Sequence, residues 1–150
     1  MFIIGERILL TLWIGGMWIT GYVVAPTLFS LLEDKSMAGT IAGQLFMIMN
    51  YIGMFSAVLL LIGHYNKVQQ VFFKHWLTWV LLIMLAIILL GQYVLTPMMS
   101  ELRSQEMTDV IKGEFGRLHA FSSLSFFINS VLGLVIVAFG GKGSISQTSV

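Results

Sequence analysis

Four apolar runs, each long enough to cross a bilayer, take up more than two thirds of the 150 residues. No other feature restricts the chain so tightly. A hydrocarbon core of about 30 Å demands roughly 20 consecutive apolar residues per helix. Every backbone N–H and C=O within that core must be satisfied without water, so only helices or closed barrels cross it, and runs of this length read as helices. The expected fold is all-α: an integral membrane four-helix bundle, arranged as two tandem helical hairpins. The spans are expected at about residues 8–32, 37–63, 76–101 and 115–140, within one domain over 1–140. A Gly- and Ser-rich tail, residues 141–150, is expected to be flexible.

Composition narrows the function classes. Hydrophobic residues make up 57% of the chain and charged residues 10%, against about a quarter charged in a soluble domain. That leaves no stretch for a separate soluble domain. With no Cys there is neither a disulfide framework nor a thiolate metal site. A net charge of +1 gives no nucleic-acid signal. The start, MFIIGERILL, lacks a basic segment before its apolar run, and Pro26 follows without a small-residue cleavage pattern, so the first span is expected to be retained. Signals for myristoylation and prenylation are absent.

The last run carries the most polar stripe. At 100° per residue, His119, Ser122, Phe126, Asn129, Ser130 and Gly133 fall within an arc of about 100°. Phe121, Leu124, Ile128, Val131 and Val135 occupy the opposite side and suit lipid. A polar stripe must face protein or a water-filled cavity, so the fourth span is expected at the centre and the third, uniformly apolar in its first half, at the periphery. Polar residues in the other spans fall at compatible depths: Asn50 near the midplane, with Gln44, Gln92 and Thr96 toward the side of Pro26 and Pro97. The residues proposed for one pocket are His119, Ser122, Asn129, Gln44, Asn50 and Thr96, holding a small molecule, an ion or a lipid headgroup. The competing reading is interhelical hydrogen bonding, worth about 0.6 kcal/mol per contact in membranes. His119 is open to several roles: metal or substrate ligand, proton acceptor, or hydrogen-bonded interfacial residue. Glu6 and Arg7 read most simply as interfacial anchors.

Cofactor chemistry finds little footing. Bis-His haem needs two imidazoles at one depth, whereas His64 and His75 lie toward one surface and His119 toward the other. Ten Met residues suit soft copper(I), but Met is also ordinary apolar filler; only Met98 and Met99 share a side with His119. No cofactor is expected, and a metal is left open. The spans hold no nucleophile–base pair, phosphate loop or carboxylate pair, so the expectation is a non-enzymatic binding or transport module. The alternative is an accessory or structural subunit of a larger membrane complex, using the small-residue faces Gly15/Gly16 and Gly39/Gly43 between chains. The partners expected are the lipid bilayer and either a second copy or a complex subunit.

An internal repeat supports the tandem hairpins. Gly21–Pro26 (GYVVAP) resembles Gly91–Pro97 (GQYVLTP), and Gly43-Gln-Leu-Phe46 resembles Gly116-Arg-Leu-His119. Such a repeat implies a pseudo-twofold axis along the membrane normal. Arg7, Lys67, Lys74 and Lys142 lie on the side of the termini, and Lys35, Arg103, Lys112 and Arg117 on the other, a tie under the positive-inside rule. The terminal side has fewer acids, so both termini are expected in the cytoplasm, and the tie also permits dual topology.

LWIGGMWITGYVVAPTLF in the first span and FGRLHAFSSLSFFIN in the fourth carry two patterns, Trp13–Gly16–Pro26–Phe29 and Phe115–His119–Ser123–Asn129. With them the chain resembles, over nearly its whole length, the uncharacterised bacterial four-helix domain family related to transmembrane protein 205. Copper-resistance and protoporphyrinogen-oxidase membrane families share the Trp-Gly start, but their additional His and Lys pattern is missing. The resemblance implies a four-span fold in a bacterial inner membrane and no established activity.

Overall fold

The computed structural model describes residues 4–105 and 108–140; the tail expected over 141–150 lies outside the described residues. These residues form an all-α bundle of four membrane-spanning helices. They are α1 (Ile4–Leu31), α2 (Lys35–Val68), α3 (Trp76–Ser104) and α4 (Asp109–Phe139). Among the described residues there is no β-strand.

The helices run past the apolar stretches because their ends are fixed by polar side chains in the connections. Helix termini leave four unpaired carbonyls or amides each. Lys35 Nζ fills two at the end of α1, donating to Phe29 O at 2.7 Å and Leu32 O at 2.9 Å. Asp34 Oδ1 accepts from Ser36 N at 2.8 Å and Met37 N at 3.2 Å and so starts α2. Thr108 Oγ1 caps α4 by accepting from Ile111 N. Gly63, where the second span is expected to finish, does not stop α2. Glu6 of α1 occupies the space a side chain there would take, 2.5 Å from a built Cβ. The chain turns instead at Gln69, whose φ of 39° is left-handed, and a 3₁₀ turn, Gln69–Lys74, leads into α3. Thr78 Oγ1 and His75 N both donate to Phe72 O and pin this connection.

α1 and α3 are not uniform α-helices. π turns occur at Thr11–Gly15 and Thr20–Val24 in α1 and at Gly91–Leu95 in α3. The last two finish immediately before Ala25-Pro26 and Thr96-Pro97. Proline lacks an N–H and its ring crowds the carbonyl one turn back; a wider turn relieves that contact. The two repeated sequences therefore share a backbone feature as well as a pattern.

Trp13, Leu60, Leu81, Met84 and Ile136 are the largest apolar side chains fully enclosed between the helices. α3 supplies Leu77, Leu81, Met84 and Ile88 at three- and four-residue spacing, against both α2 and α4. The expected centre and periphery are reversed: 33% of the apolar window of α3 is buried, against 22% in α4. The reason is physical. A polar stripe marks the side of a helix that faces inward, not how much of the helix is enclosed, and a uniformly apolar helix can be buried on any side.

Glycines set the closest approaches. A Cβ on Gly53 would meet Trp13 Nε1 at 2.6 Å and Ile88 Cδ1 at 2.9 Å, and one on Gly133 would meet Ile14 Cδ1 at 2.7 Å. Gly21 lies under the Phe126 ring in the same way. Gly15 and Gly43, by contrast, have no such neighbour within 4 Å.

Candidate functional site

The polar stripe of α4 divides along its length. At its outer end His119 is exposed, its ring stacked on Phe115 one turn earlier with centroids 6.2 Å apart and planes 10° from parallel. At its inner end Asn129 and Ser130 are buried. Ser122 lies between, partly buried.

Hydroxyls in helices usually satisfy themselves on a carbonyl one turn back. Ser123 does so on His119 O at 2.9 Å, and Ser130 on Phe127 O at 2.8 Å. With its proton committed, Ser130 Oγ accepts from the Tyr22 hydroxyl of α1 at 2.8 Å. Trp18 Nε1 donates to Ser130 O at 3.4 Å. The stripe is thus partly used to join α4 to α1.

Ser122 and Asn129 are different. Ser122 Oγ and Asn129 Oδ1 are buried and have no hydrogen-bond partner among the described residues. Seven residues apart, they point within about 20° of each other and sit about 10 Å apart along the axis. An unpaired buried polar group costs about 1–3 kcal/mol, and apolar surroundings offer no water to lower that.

The other sequence-predicted residues stand on α2 and α3. Asn50 of α2 donates from Nδ2 to Gln92 Oε1 of α3 at 3.1 Å, and Gln92 is buried within the π turn of α3. Thr96 is exposed and donates to Gly91 O at 2.8 Å, the carbonyl five residues back in that turn. Gln44 is exposed on α2. No hydrogen bond among the described residues links any two of His119, Ser122, Asn129, Gln44, Asn50 and Thr96. Chemically, the stripe offers neutral oxygens and one imidazole, suited to hydrogen-bonding a small polar molecule or coordinating a cation weakly. Among the described residues, no three His, Asp or Glu side chains group to hold a metal ion.

A second polar cluster, at the end bearing the chain termini, was not singled out by sequence. Glu6 is buried, and Lys67 Nζ approaches its carboxylate oxygens at 2.7 and 2.5 Å. His64 and His75 meet edge to face nearby, centroids 5.3 Å apart, both beside the 3₁₀ connection. The available signal was an acid three residues inside an apolar helix, with the nearest basic residues of α2 on the same membrane face.

Residues 8–108 match the model of a family described as a domain of unknown function, DUF4149. No curated protein and no solved structure matches the chain.

Proposed function

The chain belongs to the DUF4149 family, and we propose that it is a non-enzymatic binding or transport module for a small polar molecule, an ion or a lipid headgroup. The site would be the inner face of α4, with Ser122 and Asn129 as its floor and His119 at its mouth; Asn50, Gln44 and Thr96 would line the approach from α2 and α3. The observation that carries this reading is the pair of buried, unpartnered oxygens, Ser122 Oγ and Asn129 Oδ1. A stripe used only as helix glue would leave neither unpaired, whereas hydrogen-bond donors or positive charge along the roughly 10 Å between them, from one extended occupant or more than one small one, would satisfy both. Kinship to the relatives of transmembrane protein 205 is part of the proposal, and rests on Trp13–Gly16–Pro26–Phe29 together with Phe115–His119–Ser123–Asn129, the second lying beyond the matched residues 8–108. So are a bacterial inner-membrane location and cytoplasmic termini, supported by Arg7, Lys67 and Lys74 on the terminal side, where Glu6 is the one described acid.

The test is native mass spectrometry of protein extracted gently from its own membrane, with a metal scan of the same sample. A small ligand or metal retained by the wild type and lost in both Asn129→Leu and His119→Ala supports the site. Wild-type protein carrying neither sinks it.

One observation favours the accessory-subunit reading. A largely apolar groove of about 270 Å³ runs between α1 and α4, lined by Leu10, Thr11, Ile14, Gly15 and Trp18 of α1 and by Leu134 and Val137 of α4. Nothing stands within 4 Å of a Cβ built on Gly15, so the backbone there is open to a helix from another chain. Stoichiometric co-purification of a second subunit, lost in Gly15→Leu, would move the assignment to that role.

A further inference from the structure

At the membrane face opposite the termini, Arg103 has no ion-pair partner among the described residues. It stands in the last turn of α3. Its Cζ lies 5.2 Å from the centroid of the Phe115 ring on α4. Its Nη2 is 3.4 Å from the place a Cβ would occupy on Gly39 of α2. Ring and glycine together fix the guanidinium between three helices, by cation–π attraction on one side and lack of a side chain on the other.

Among the described residues five carboxylates share this face: Glu33, Asp34, Glu101, Asp109 and Glu114. Asp34 caps α2, and Asp109 pairs with Lys112 at 3.5 Å. None of the five forms an ion pair with Arg103. Lys35, the other cation near the start of α2, is used on the carbonyls ending α1. A guanidinium presents five N–H donors in a rigid fork that matches phosphate oxygens two at a time.

We propose that Arg103, seated between Gly39 and Phe115, is a binding site for a phosphate-bearing anion at the entrance between α2 and α4. Phosphate reaches such a site either as a lipid headgroup or as a free anion. This site uses neither Ser122 nor Asn129 and takes a ligand of opposite character; because the Phe115 ring also stacks on His119, it is the Arg103 variants that separate it from the α4 site.

The experiment is native mass spectrometry of the full chain in detergent, titrated with short-chain phosphatidylglycerol, and repeated in the presence of inorganic phosphate. Arg103→Ala should weaken lipid binding by about tenfold or more, the scale of a charge-assisted hydrogen-bonded pair. Arg103→Lys, which keeps charge but loses the fork, should recover only part of it. Phe115→Leu should weaken binding with Arg103 intact, which separates the site from a folding defect in the arginine variants. Displacement of lipid by inorganic phosphate assigns the site to a free anion, and indifference to it assigns the site to a headgroup. Unchanged binding in Arg103→Ala, or full recovery in Arg103→Lys, overturns the proposal.

Discussion

Lys67 closes the terminal end of the bundle on Glu6: its ammonium reaches both carboxylate oxygens from the last turn of α2, across 61 residues of sequence. The carboxylate side chain is 6% exposed, while that of the lysine is 36% exposed. Removing one member of an enclosed pair leaves the other uncompensated. The partial exposure of Lys67 reduces that penalty through screening. Glu6→Gln should therefore destabilise the protein by about 1–3 kcal/mol. Lys67→Met on the same background should restore part of the loss. Thermal unfolding of the two single variants and the double variant in one detergent measures the coupling, and strictly additive effects would show that the pair does not hold α1 to α2.

The contact between Gly53 and Trp13 makes a matched prediction. Gly53→Ala forces a methyl against Trp13 Nε1 and Ile88 Cδ1, and overpacking of that kind costs about 1–3 kcal/mol. Gly43→Ala, on the same helix with open space at its Cβ, should be neutral or slightly stabilising through helix propensity. Melting temperatures of the two variants check this, and equal behaviour would mean that α1, α2 and α3 are not in close contact around Gly53.

Asn50 and Gln92 should be worth little individually and should be coupled. Interhelical hydrogen bonds in membranes average about 0.6 kcal/mol. Asn50→Leu alone leaves Gln92 Oε1 unsatisfied in a buried position and should cost more than the Asn50→Leu, Gln92→Leu double variant. A double-mutant cycle on unfolding reads the difference, and a cycle that closes at zero would dissolve the α2–α3 bridge.

Tyr22 and Ser130 form the polar seam between α1 and α4. Tyr22→Phe removes a donor, and Ser130→Ala removes its acceptor. Each should cost about 1 kcal/mol, with the combined variant no worse than roughly the larger single effect. Independent, additive losses would argue that the two hydroxyls do not bond.

Much of this architecture is legible in the sequence, for reasons that differ from helix to helix. The four apolar runs fix number and type of element, because bilayer thickness and backbone satisfaction leave few alternatives. Pro26 and Pro97 mark where α1 and α3 depart from regular α-helix. The outward side of α4 is also readable: Phe121, Leu124, Ile128 and Val131 are exposed as their spacing predicts. Relations between helices are harder. Nothing in WLTWVLLIMLAIILL shows that α3 is the most enclosed helix, since every side of it is apolar. Glu6 looks like an interfacial anchor until Lys67 and Gly63 are placed beside it. In the stripe of α4, sequence identifies Asn129 and Ser130 as inward-facing, yet it cannot tell that Ser130 is taken by Tyr22 while Ser122 is left unpaired. That difference is set by rotamers and by a partner 108 residues away.

The π turn before Pro97 places one more residue in a turn than an α-helix holds. Each such residue rotates everything beyond it by about 100°. Arg103 lies downstream of that turn, so its direction depends on a phase set eight residues earlier. In an uninterrupted helix of the same sequence, the guanidinium would leave the Gly39–Phe115 seat. Deleting a single residue within Gly91–Leu95 would therefore act about two turns further on, at the end of α3, silencing the anion site without touching any atom that forms it.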